Sequence, residues 1–111
     1  MVLLDIDAGR LTARLVLERP EPVDDGQGGA VTGFVEVARV WALIEPRSFA
    51  EEEKGPGLSA TVTHHVTVRA RSDLAAGQQF RKGARVFEIL ALRDPDETGR
   101  FRLALCREVT G

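Results

Sequence analysis

Thr63-His64-His65-Val66-Thr67-Val68-Arg69, Arg85-Val86-Phe87-Glu88-Ile89 and Leu103-Ala104-Leu105-Cys106-Arg107-Glu108 follow one another along the second half of this 111-residue chain. Around the first stretch Val62, His64, Val66, Val68 and Ala70 share one face, and Thr61, Thr63, His65, Thr67, Arg69 and Arg71 share the other. That period of two predicts a strand with two chemically distinct faces. Residues 86–92 read as a largely apolar strand interrupted by Glu88, placed centrally, after Phe80 and a turn at Arg81-Lys82-Gly83. Asp94-Pro95-Asp96-Glu97-Thr98-Gly99 has turn chemistry throughout, and Phe101, Leu103, Leu105 and Val109 alternate beyond it. The last two strands should therefore form a hairpin.

Upstream, Leu11, Ala13, Leu15 and Leu17 alternate with Thr12, Arg14, Val16 and Glu18, predicting a first strand that ends at Arg19-Pro20. Residues 20–33 hold two prolines, Asp24-Asp25-Gly26 and Gly28-Gly29, which predicts a mobile hairpin tip or extended loop. Residues 34–45 are rich in valine, and the apolar phase changes near Ala38-Arg39, so a long strand with a bend or bulge is expected, stopped by Pro46. Residues 47–60 offer Ser48 as a helix N-cap, then Phe49-Ala50-Glu51-Glu52-Glu53-Lys54, and break at Gly55-Pro56-Gly57. This is a short helical turn followed by a loop. Five or six consecutive strands with at most one short helix predict an all-β fold, a small antiparallel barrel, because closure removes exposed edges.

The composition sets bounds. A chain of 111 residues fits a single domain, here residues 1–111, and its 43% apolar and 29% charged fractions are those of a folding globular protein. One cysteine cannot make an internal disulfide, acids occupy Met1-Val2-Leu3-Leu4-Asp5-Ile6-Asp7, and no apolar run has bilayer length. Neither export nor membrane insertion is expected. Residues 1–63 carry 6 Lys and Arg against 11 Asp and Glu (−5), residues 64–111 carry 9 against 6 (+3), and the sum is −2. Such a division favours head-to-tail contact between copies, or is the ordinary scatter of charge over a folded surface.

Candidate chemistry is sparse. His64 and His65 are adjacent in a strand and point to opposite faces, so they cannot share a metal; one should edge the core and the other lie on the surface. Asp94, Asp96 and Glu97 lack the 12-residue ligand pattern of a calcium loop. Cys106 has no histidine–acid pairing and reads as a small apolar packing residue. Gly26-Gln27-Gly28-Gly29 has neither the helix nor the lysine of a phosphate loop. Trp41, among valines and leucines, reads as a core or interface residue whose indole N–H needs a partner. No catalytic, cofactor or metal site is predicted.

With Trp41-Ala42-Leu43-Ile44-Glu45-Pro46 upstream of them, the quoted blocks resemble, in order and spacing, the head-tail joining proteins of long-tailed phages and gene transfer agents. The resemblance runs from Leu11 to Val109. It implies a barrel and a structural head-completion, or stopper, protein, located in the virion and assembled in the bacterial cytoplasm. Its implied partners are copies of itself in a ring, portal or adaptor proteins above, a tail-terminator protein below, and double-stranded DNA passing without sequence-specific contact. On that reading Asp24, Asp25, Arg47, Phe49, Glu51, Glu52, Glu53 and Lys54 are candidate interface or channel residues, while Trp41, Pro46, His64, Phe87, Asp94 and Pro95 are structural. The three glutamates would repel DNA in a lumen or meet a neighbour's arginines. Gly55-Pro56-Gly57 departs from the longer helix-forming segment usual there in the family. The alternative is a small nucleic-acid-binding barrel using Arg69, Arg71, Arg81, Lys82 and Arg85, although 5% aromatics supply few stacking platforms.

Overall fold

A computed structural model describes residues 8–24, 26–47 and 62–109. A 3-10 turn, Ala8–Arg10, leads into six strands: β1 (Ala13–Asp24), β2 (Ala30–Pro46), β3 (His64–Arg69), β4 (Gln79–Lys82), β5 (Arg85–Arg93) and β6 (Phe101–Val109). They close into a barrel in the order β1-β2-β3-β6-β5-β4, and every pairing is antiparallel. The all-β barrel predicted by the alternation is present, and β5 and β6 form the expected hairpin.

The inward residues of each strand meet in one cluster. Leu15 and Leu17 from β1, Val40 and Ala42 from β2, Val66 and Val68 from β3, and Ala104 and Cys106 from β6 surround Phe80, Phe87 and Ile89. Phe80 and Phe87 are opposite each other across β4 and β5 and are fully buried. A six-stranded barrel is narrow, and side chains alone fill it. Asp94 and Gly99 close the β5–β6 turn, since the Gly99 N–H donates to Asp94 Oδ2 at 2.8 Å. Asp96 Oδ1 accepts from the Thr98 N–H at 3.2 Å and from its hydroxyl at 2.7 Å.

Several expectations change. β1 does not stop at Arg19-Pro20; the β1–β2 ladder continues past them to Asp24↔Ala30, so most of residues 20–33 is paired strand and only the tip is turn. Pro20 and Pro22 are tolerated because β4 pairs with β1 only through Val16–Glu18. On a strand with one unpaired edge, prolines two residues apart can be accommodated without losing a bond to a third strand. Residues 81–83 are not simply a turn: Gln79–Lys82 is a strand, and the reversal occurs at Gly83, with φ of 60°, and Ala84. The phase change in β2 is a bulge, with Leu17 opposite Ala38 and Glu18 opposite Glu36, leaving Val37 over. Pro46 ends β2 as expected. β5 lies between β4 and β6 in a closed barrel, which has no central strand. The helical turn expected within residues 47–60 lies outside the described residues, apart from Arg47, whose N–H donates to the Thr63 carbonyl at 2.8 Å.

Candidate functional site

The most prominent surface is the two-stranded arm made by the distal parts of β1 and β2. From Arg19↔Val35 to Asp24↔Ala30 the two strands pair with each other and with no other described strand. Six residues of strand add about 20 Å at a rise of about 3.3 Å each, in a chain measuring 55 × 29 × 23 Å. Opposed residues share a face, so Glu18, Pro20, Pro22 and Asp24 stand beside Glu36, Phe34 and Thr32 on the outer side. Phe34 is 40% exposed there, an apolar group that folding of the subunit leaves in water. On the opposite side Val23 lies over Gly33, where an added Cβ would come within 2.7 Å of Val23 Cγ2. Gly33 is what lets that side of the arm close up.

Nearer the barrel, the same outer face carries Trp41. It is 53% exposed, directly across the ladder from Arg14, whose guanidinium carbon stands 4.9 Å from the ring centroid. This cation–π contact ties the two side chains together. Two shallow depressions, of about 330 and 320 Å3, flank the indole. Leu11, Thr12 and Arg69 line the first, and Arg39, Arg69 and Arg71 line the second. Arg39 leans on Glu36 at 3.5 Å, and Arg71 holds Asp73 through bonds of 2.8 and 2.9 Å. Arg14 and Arg69 have no carboxylate partner among the described residues. Trp41 is therefore excluded from the core, one of its two predicted places, because β2 turns Val40 and Ala42 inward and the indole outward.

A third constellation sits at the barrel end where the chain enters and leaves residues 48–61. Arg85 binds Glu108 through Nε–Oε2 at 2.9 Å and Nη2–Oε1 at 3.1 Å, and its guanidinium stands over Phe87 at 4.7 Å. His64 packs edge-on against Phe87 at 5.0 Å, with Nε2 3.8 Å from Glu108 and Nδ1 2.9 Å from the Thr63 hydroxyl. Thr63 Oγ1 also accepts the Glu108 N–H at 2.7 Å. Burial holds the His64 imidazole below its ordinary value; the Glu108 charge opposes that effect and the Arg85 charge adds to it. The Arg85 hydrogen bonds hold the Glu108 carboxyl below the usual range against a small cost of burial. The barrel is closed elsewhere by Glu18, which accepts Gln79 Nε2 at 2.7 Å and Arg81 Nε at 3.2 Å across the β1–β4 seam.

The predicted site residues are distributed as follows. Asp24 is exposed near the arm tip, where Oδ1 accepts the Gly26 N–H at 2.8 Å. Asp25, Phe49, Glu51, Glu52, Glu53 and Lys54 lie outside the described residues. Pro46 pairs with His64, Phe87 is core, and Asp94 and Pro95 form the β5–β6 turn. His64 packs against core Phe87, and His65 is not on the surface: it is 7% exposed, on the outer face of β3 with buried Thr67 and opposite fully buried Leu105. Alternation told the two faces apart but could not tell that both are covered there. Cys106 is fully buried, and burial pushes its thiol up to about 12, so it packs rather than reacts. No cluster of three metal-ligating side chains occurs among the described residues, and no helix among them is long and apolar enough to cross a membrane. Sequence reading missed Arg14, Phe34, Glu18 and the Arg85–Glu108 pair. Their pairings depend on strand register, which alternation within one strand does not give.

The sequence model of a family described as phage head completion protein matches residues 6–109. Among solved structures, a chain from the virion of a native gene transfer agent particle is 31% identical, with a TM-score of 0.64 over 90% of this chain and 96% of that one. Protein SF1141 from Shigella flexneri 2a, solved in solution, is 24% identical with a TM-score of 0.71 over 93% of this chain and 96% of its own, a likeness of fold. No curated protein matches the sequence.

Proposed function

From the premise that the chain belongs to the family of phage head completion proteins, we propose that it works as one wall segment of a ring between the head and the tail, surrounding the DNA channel. A structural head-completion role in a virion or virion-like particle follows from the family and from the gene transfer agent relative. Neither comparison supports the nucleic-acid-binding alternative. The ring, its contacts with portal-adaptor and tail-terminator proteins, and closure of the channel are the finer parts of the proposal.

The observation that carries it is the division of the subunit into a closed barrel and an exposed arm. The barrel is a wall closed all the way round by antiparallel pairing, whereas the arm leaves Phe34, Pro20 and Pro22 exposed on a two-stranded ladder that no other described strand joins. Surfaces of that kind are covered in assemblies. The work of such a protein is contact and obstruction, so no catalysis is invoked.

The test is complementation of heads filled with DNA but lacking this protein. Addition of the full chain should stop DNA leakage, measured as nuclease-sensitive DNA, and allow tails to join. Heads that retain their DNA and accept tails equally well without it would remove the proposal.

A further inference from the structure

We infer that the Trp41 depression of one subunit receives the outer face of the β1–β2 arm of the next, making the lateral contact of the ring. The inference rests on the ring reading above and names the two surfaces that would build it.

The two surfaces are complementary in both apolar and charged parts. The receiving surface has an exposed indole at its centre with Arg14 and Arg69 beside it. The arm has Phe34, Pro20 and Pro22 at its centre with exposed Asp24 toward its tip. An indole against proline and phenylalanine buries flat apolar surface, and tryptophan and arginine are the side chains that most often dominate interfaces. Arg14 and Arg69, without a carboxylate among the described residues of their own chain, meet Asp24 of the neighbour's arm. Opposite charges at the rim would set the register and speed encounter.

Glu36 at the base of the arm pairs with Arg39 of its own subunit at 3.5 Å, but the distal part of the arm cannot reach its own groove. Pro22 lies in β1 and Thr12 just before its first residue, ten residues apart along an extended chain, a span of roughly 33 Å. Contact therefore requires a second copy. Because the two surfaces differ, the contact is heterologous, and repeated by rotation it closes a ring.

Thr12→Cys and Pro22→Cys, combined in one full-length chain, put thiols beside the groove and on the arm while leaving Trp41, Phe34 and the arginines in place. Buried Cys106 contributes little background. Heads completed with this variant and treated with a short bismaleimide should give a ladder of linked products extending past dimer. A product that stops at dimer would mean an isologous contact and overturn the inference. A ring visible by electron microscopy with no linkage would overturn it while leaving the ring reading standing, and heads without a ring would remove both. In the same background Arg69→Asp should lower linkage about tenfold, and adding Asp24→Arg should restore it. Unchanged linkage in the Arg69 variant, or linkage abolished by digesting the DNA, would assign the patch to another partner and overturn the inference.

Discussion

His64 and Glu108 connect acidity to stability in different ways, His64 through burial and Glu108 through its hydrogen bonds to Arg85. His64 is held below its ordinary value of 6.5, chiefly by burial, so the folded state binds fewer protons there than the unfolded chain. Stability from neutral His64 is complete above that value and is lost as pH falls below it, until the folded imidazole also protonates. Glu108, Asp73 and Asp96 have lowered values held by Arg85, Arg71 and Thr98 respectively, so their contribution is lost at lower pH, below their ordinary values of 3.8 to 4.5. Denaturant midpoints measured from pH 7.5 downwards should fall in two stages, and His64→Gln should flatten the first while sparing the second. At the β1–β4 seam, Glu18→Ala removes the acceptor shared by Gln79 and Arg81. The expected cost is about 1–2 kcal/mol, given that Arg81 is partly in water, and it is read from urea unfolding. His64 beside the core was legible from the one-face alternation, whereas Glu18 as a seam closer was not, because its partners are over sixty residues away.

The arm is the element that the sequence described least well. Two prolines and a glycine-rich tip argue against strand wherever a strand needs both edges, and here it needs only one. The same prolines protect the exposed edge, since they cannot template a further strand. All eleven members of the buried cluster lie outside residues 19–35. Replacing those residues with an Asn-Gly turn between Glu18 and Glu36 should therefore leave a folded barrel, its melting temperature within a few degrees of the parent, while removing assembly into particles. A deleted chain that no longer melts cooperatively would show that the arm belongs to the folding unit. β4 was hidden for a related reason: at four residues it is shorter than a readable period, and Phe80 is fixed as a strand residue by Phe87 opposite it.

Charge and shape together govern how the subunit assembles. The acidic and basic halves of the chain do not become two separate regions of the fold, because β1 and β2 pair with β4 and β3 and bring Glu18 to Arg81. What remains is a basic groove at the barrel and an acidic, apolar arm. Raising ionic strength from about 0.1 M to about 1 M shortens the screening length from about 10 Å to about 3 Å, so association with heads, followed by sedimentation, should weaken with salt without vanishing, the apolar contact remaining. Salt-independent association would place the binding energy in apolar burial alone. Alternation in residues 11–17, 62–71 and 101–109 and the apolar run at 86–92 are properties of consecutive residues, and they were enough to yield strands and an all-β barrel, while the order of the blocks pointed to the family. The closing β1–β4 seam, the paired arm, the outward Trp41 beside Arg14 and the covered His65 all depend on which strand lies next to which and in what register. Those are contacts between residues far apart in the chain, and only folding brings them together.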